Sequence, residues 1–391
     1  MQVIEGIVRT YEWGSPTAIP ELLGRPATGE PAAELWLGAH PSGPALVGPG
    51  GVPLDRLIAA DPDGALGAEV AATFGALPFL FKVLAAAAPL SLQAHPSAAQ
   101  AEAGFARENA EGIPVDAPER SFRDPRHKPE LICALTEFDA LCGFRDPAVT
   151  LDLFASIGVA ELEPFRDTLR AEPNATGIGV VLRRLLALDA ADAGSLTAVV
   201  VAACRDNVDG SFAAEKAMAA SVGARYPAEA GVVIALLLNL VTLQPGDALF
   251  LGAGNLHAYL HGTGVELMAN SDNVVRGGLT SKPVDVDALL EAVVTQPTDP
   301  RVQRPPVVDG IARYDSPVAE FSLSRLEVDG DLPVEAGPAV LLCTAGRADA
   351  GDHVLDRGAA VWLPASDGAI TLQGRATVFR AGPGNPVPSA G

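Results

Sequence analysis

The chain has 391 residues, of which 48% are apolar and only 5% aromatic, so aliphatic side chains and alanine must fill its cores. A formal net charge of −21 excludes nucleic acid as a partner, because a phosphate backbone needs a basic surface. Length alone suggests two or three domains.

In chain order, residues 1 to about 145 read mostly as short strands and turns, punctuated by proline and glycine as at Gly48-Pro49-Gly50-Gly51. Within them, residues 78–92 form an apolar run that reads as one buried strand. Lys82 interrupts it, and it is shorter than the roughly 20 residues a membrane span needs. Residues 98–111 have helical composition. Residues 149–155, 161–171, 176–188, 195–205, 212–222 and 228–238 are rich in Ala, Leu and Arg, with apolar residues at helical spacing such as Ile178, Val181, Leu182 and Leu185. Breaks at Glu172-Pro173-Asn174 and Asn207-Val208-Asp209-Gly210 separate them. From Thr242 the chain returns to strands, with a hairpin turn expected at His261-Gly262-Thr263-Gly264. A linker containing Pro305-Pro306 leads to a final block that alternates apolar and polar residues, as in Ala319-Glu320-Phe321-Ser322-Leu323. Residues 383–391 read as a loose tail. The expected fold is mainly β with a helical insertion. Residues 1–145 with 240–296 form one β unit, 146–239 the insertion, and 297–391 a second small β-sandwich.

The N-terminus lacks a basic region followed by an apolar core, so no secretory signal is visible. Cys133, Cys142, Cys204 and Cys343 lack paired spacing, which argues for buried reduced thiols and against a thiolate metal site. A cytoplasmic protein with no membrane association is expected.

The segment Leu90-Ser91-Leu92-Gln93-Ala94-His95-Pro96 carries the chemistry. Gln93 and His95 are two apart and leave one face of an extended strand, and Pro96 favours that geometry for His95. Glu130 opens the β-like stretch 131–134, and His257 follows residues 245–251. Gln93, His95, Glu130 and His257 offer a mixed nitrogen and oxygen site whose ligand types suit zinc.

These segments, with Tyr11-Glu12-Trp13-Gly14-Ser15, residues 33–41, Asp124-Pro125-Arg126-His127-Lys128-Pro129-Glu130, residues 254–259 and residues 269–280, carry a resemblance to the type I mannose-6-phosphate isomerases, zinc-dependent enzymes of the cupin (jelly-roll) fold. Six motifs occur in the family's order. The resemblance implies a catalytic jelly-roll domain, one Zn²⁺ per chain on Gln93, His95, Glu130 and His257, and a sugar phosphate substrate. The implied reaction interconverts mannose 6-phosphate and fructose 6-phosphate by ring opening and proton transfer between C1 and C2 through an enediol.

Two neutral imidazoles, an amide oxygen and one carboxylate leave the centre at about +1, which suits a Lewis acid. The resemblance puts Arg276 in the active site. Lys128 shares a strand face with Glu130 and is the first candidate to move the proton. Asp272 and His127 are candidates for ring opening, and Glu266 and Tyr259 for the pocket lining. An anionic substrate needs a local cationic cluster on so acidic a chain. Three of the four lysines, Lys82, Lys128 and Lys282, lie in or beside the candidate segments. Lys82, Ser91 and Lys282 are the phosphate candidates, and Trp13 is a pocket wall or plain core. Rival readings are another metal-dependent cupin, a dioxygenase or epimerase, and a non-catalytic sugar-binding cupin. Oligomeric state is not legible, with a monomer slightly favoured.

Overall fold

The computed structural model describes residues 1–207 and 210–384. Val208 and Asp209, inside one expected helix break, and residues 385–391 of the expected tail lie outside the described residues.

Two antiparallel sheets pack face to face. One runs, edge to edge, through strands Leu238–Leu243, Phe138–Phe144, His257–Ala269, Phe79–Ala86, Glu34–Gly38 and Ile7–Arg9, with Glu130–Ala134, Ala248–Leu251, Leu92–Ala94 and Val275–Gly278 attached. The other joins Ile311–Tyr314, Ser322–Val334, Ile370–Gly382, Ala339–Ala350 and Ala360–Leu363 to the N-terminal strand Gln2–Glu5 and to Leu46–Val47 and Val52–Pro53. The sheets therefore do not follow chain order. Strand Gln2–Glu5 pairs with Ala360–Leu363 through Gln2 opposite Trp362, because its apolar Ile4 joins the core between the sheets.

Strand alternation explains how that core positions the site. Phe79, Phe81, Val83 and Ala85 pack with Leu131, Cys133, Val265 and Leu267 against Val340, Leu342, Trp362 and Phe379 of the second sheet. Each large side chain so buried contributes roughly 1.5–3 kcal/mol. The intervening residues of the same strands, Lys82, Glu130 and Glu266 among them, must then project to the opposite face.

The helical segments form Pro147–Ile157, Glu163–Ala171, Ala175–Leu186, Ala190–Asp206 and Ala213–Arg225. Their apolar faces, with Phe154, Leu182, Val200 and Val222, bury Leu92, Ala94, Leu141, Leu256, Ala258 and Val275. All of these but Leu141 are immediate sequence neighbours of Gln93, His257 or Arg276. The helices thus back the strands that carry the site. Among the described residues no single helix is long and apolar enough to cross a membrane.

Several expectations need correction. The run 78–92 is two strands, Phe79–Ala86 and Leu92–Ala94, because Ala87 N–H and Ala88 N–H turn back to the Trp13 carbonyl and Pro89 has no N–H for a ladder. Residues 261–264 are not a hairpin turn. Strand His257–Ala269 runs through them, and Gly262 (φ 120°) bends it where a side chain would strike Glu137 O. The helix expected over 228–238 is only Gly231–Ala235, since strand Leu238–Leu243 starts directly after it. The apolar run 232–238 carries no period to separate the two. Short helices Ala18–Leu22, Leu54–Ala60, Pro62–Leu66 and Ala68–Phe74 were not expected among the strands. All four cysteines are buried and unpaired, as expected.

Candidate metal centre

Three strands bring the candidate ligands together. Gln93 and His95 come from Leu92–Ala94 and the residue after it, where Ser97 then starts helix Ala98–Ala110 with a reciprocal capping box to Gln100. Glu130 begins strand Glu130–Ala134 and His257 begins His257–Ala269. Backbone pairing places His257 opposite Gln93 and Gln93 opposite Arg276, a lateral row across three strands.

His95, Glu130 and His257 are each 1–2% exposed, and one donor atom from each lies within 4.8 Å of the others. His95 Nδ1–H donates to the Asn273 carbonyl at 2.7 Å, and His257 Nδ1–H to the Asn255 carbonyl at 3.0 Å. Both bonds fix the tautomer that leaves a lone pair on Nε2. Those lone pairs face Glu130, His95 Nε2 at 3.2 Å from Oε1 and His257 Nε2 at 3.3 Å from Oε2. Acceptors meeting acceptors in a dry site repel unless a cation lies between them. His95 Nε2 and Glu130 Oε2 are buried with no hydrogen-bond partner, which fits the same reading. The Gln93 amide reaches within 3.3 Å of His257 Nε2, and a half-turn of that amide presents its oxygen to the cluster. Burial holds His95 down to a pKa of about 4. Burial alone would raise the Glu130 carboxyl, but His95, Lys128 and its hydrogen bonds outweigh this and hold it well below the usual carboxylate range. The donor set therefore fits a divalent cation of the zinc type.

Around this cluster, Lys128 Nζ lies 3.2 Å from Glu130 Oε1. Lys82, a phosphate candidate by sequence, is instead held between two carboxylates, 2.9 Å from Glu34 Oε1 and 2.6 Å from Glu266 Oε2. Burial pulls the Lys82 ammonium down, but Glu266 and Glu34 outweigh it and raise its pKa above the usual value. Burial leaves Glu266 raised despite Lys82. Burial, with Glu266 next, pushes the Tyr259 phenol well above its usual range. Trp13 is half-buried, stacks on Tyr11 at 5.7 Å and packs on the core beside Tyr259. Ser91 is half-buried just ahead of Leu92–Ala94.

His127 does not join the cluster. Its alternate position on the extended segment turns it away from Lys128 and Glu130, and its Nε2 meets Glu320 Oε1 at 2.6 Å. The histidine facing Asp272 is His40, at 3.6 Å from Oδ1. His40 Nδ1 accepts from Ser42 N–H at 3.2 Å, so its Nε2–H points to Asp272. Sequence reasoning missed His40, although it lies inside the motif at residues 33–41. It also missed Glu34, whose signal was the two-residue spacing to Trp36, the donor of a 2.8 Å indole bond to its Oε2. The glycines after Arg276 serve a backbone contact: a Cβ at Gly278 (φ 131°) would meet Gly231 Cα of the helical layer at 2.9 Å.

A buried centre of two imidazoles, a carboxylate and an amide on a double-sheet fold defines a metal-dependent cupin. A family profile described as phosphomannose isomerase type I, catalytic domain, matches residues 1–147. Mannose-6-phosphate isomerase of Escherichia coli K12 is 36% identical over 97% of this chain and 99% of its own length. The Homo sapiens enzyme of that name is 33% identical over 83% of this chain and 81% of its own. A zinc-bound crystal structure of mannose 6-phosphate isomerase superposes with a TM-score of 0.90 at 35% identity, covering 98% of this chain and 99% of the other. A lysine-to-alanine variant of phosphomannose isomerase from Salmonella typhimurium gives 0.91 at 35% identity, over 98% and 100%. The chain belongs to the type I phosphomannose isomerase family.

Proposed function

We propose that this chain interconverts D-mannose 6-phosphate and D-fructose 6-phosphate. The observation that carries this is the near full-length likeness to enzymes named for that substrate, together with the buried cluster of facing lone pairs. Gln93, His95, Glu130 and His257 hold one Zn²⁺. When bound, zinc supplies a Lewis acid for the substrate's carbonyl end.

The remaining roles follow from placement. Lys128, beside Glu130 at the rim of the cluster, moves the proton between C1 and C2. Glu266 and Tyr259 line the pocket behind it, and Lys82 with Glu34 fixes the Glu266 carboxylate. Asp272 acts at ring opening, oriented by the His40 N–H. His127, committed to Glu320, takes no part. Arg276 lies in the ligand row beside Gln93, with Ser91 and Lys282 toward the phosphate and Trp13 as a wall.

The division of labour among segments is part of this proposal. Residues 1–145 with 240–296 supply every ligand, the helices of 146–239 back them, and 297–391 closes the far side of the core. A cytoplasmic monomer is the finer form of the reading, and four buried unpaired thiols support the reducing compartment.

The test is formation of fructose 6-phosphate from mannose 6-phosphate by purified protein before chelation, after chelation and with zinc restored. Turnover that disappears and returns is expected. A folded, zinc-loaded sample without turnover rejects the assignment.

A further inference from the structure

Arg123 is exposed and lies in the loop between helix Ala98–Ala110 and strand Glu130–Ala134. Two fixed points hold that loop against the active-site strands. On one side Asn273, fully buried, accepts from Arg123 N–H at 2.7 Å and Asp124 N–H at 3.2 Å, and donates to the carbonyls of Asp124 and Arg126 at 2.7 and 2.8 Å. The Asn273 carbonyl is also the acceptor for His95 Nδ1–H. On the other side the Ser121 hydroxyl donates to Asp285 Oδ2 at 3.3 Å, three residues beyond Lys282. The loop is thereby tied both to the segment entering the Arg276 strand and to the segment carrying Lys282.

The charges in this region are unbalanced. Arg123, Arg276 and Lys282 make no salt bridge among the described residues, on a chain with 48 acidic side chains and only 27 Lys and Arg. The nearest loop carboxylates are otherwise engaged. Asp124 accepts from Ser271, Asp272 N–H and Arg126 N–H, and Asp285 from Ser121 and Ala288 N–H. Burial first and Arg123 second hold Arg276 below its usual pKa. Burial, then Arg276, then Arg123, do the same to Lys282. Three like charges gathered without a counter-charge repel one another, and an anion joining them relieves that repulsion.

We propose that Arg123 is a substrate-binding residue, completing with Arg276 and Lys282 a three-cation clamp for the substrate's phosphate group, and that Asn273 positions it. This deepens the isomerase reading and rests on it for the identity of the phosphate ester. It also accounts for the neutralised Lys82, since the phosphate charge is met outside the buried cluster.

The experiment uses the zinc-loaded chain as wild type, R123A, R123K and, as a control from the same loop, R126A. Inorganic phosphate binding is measured by calorimetry, and KM and kcat for mannose 6-phosphate by the coupled assay. R123A should weaken phosphate binding and raise KM by about 10-fold or more, the loss of one charge-assisted contact, with kcat falling by less. R123K should restore most of both, and R126A should move neither. Phosphate affinity in R123A equal to wild type, an equal loss in R126A, or no phosphate binding by wild type each overturns the inference. If the wild type binds phosphate through Arg123 but does not isomerise, the clamp stands and the isomerase reading falls. If it isomerises and R123A binds phosphate as wild type does, only the clamp falls.

Discussion

Two buried polar clusters share one sheet face and are built in opposite ways. Around Lys82, one ammonium lies between Glu34 and Glu266, and Trp36 donates to the remaining Glu34 oxygen, so opposite charges are paired within the protein. Around Glu130, two imidazoles spend their only N–H groups on backbone carbonyls and turn lone pairs toward a carboxylate. The first cluster pairs its charges inside the protein. The second is complete only with a cation. Burial and distance are alike in both; the count of protons separates them.

Removing a ligand breaks the contrast most sharply. His257→Ala should take zinc from one per chain to a small fraction by elemental analysis, and kcat should fall by about 10³-fold or more with the loss of the Lewis acid. Zinc retained at full occupancy would remove His257 from the ligand set. Lys128→Ala should leave zinc in place and cut kcat by about 10²–10⁴-fold, the range for a lost proton-transfer group. An unaltered kcat excludes that role.

Lys82→Met probes the charge-paired cluster. It strands two buried carboxylates and should cost about 3–5 kcal/mol in denaturant unfolding, with zinc content kept. Adding Glu34→Gln and Glu266→Gln should recover much of that loss. No loss in the single variant would mean that the carboxylates simply take up protons at no cost.

The smallest effect is in pH. Burial keeps the folded-state pKa of His95 near 4 against an ordinary 6.5, so between those values the unfolded chain binds more protons. Stability of the metal-free protein therefore falls on acidification from about pH 6.5 toward 4, and the lowered Glu130 acts with the same sign below that window. A melting temperature flat across it, measured on chelated protein, would contradict the placement of His95.

Much of the site was legible because strand geometry is local. A spacing of two between Lys128 and Glu130 put both on one side of the chain, and the structure keeps them 3.2 Å apart. The same rule, applied to the adjacent His127, would have turned it away from the cluster. Helical spacing at Ile178, Val181, Leu182 and Leu185 correctly marked a buried helix face. The largely apolar runs at 78–92 and 228–238 misled, because without alternation nothing local says where a strand turns or a helix stops. Arg123 left no signal at all, since an exposed arginine in a loop acquires meaning only from what the loop is tied to.

The sequence by itself determined the ligand types, the β, α, β, β order and the family, because these depend on residue identity and short periodicities. The tertiary structure decided which acceptors face each other, that Lys82 is spoken for, that His40 rather than His127 meets Asp272, and that the N-terminal strand joins the C-terminal sheet. Each of these is a contact between residues tens to hundreds of positions apart. Only the packing of the shared core fixes such contacts, by choosing which face of every strand is buried and which is left to chemistry.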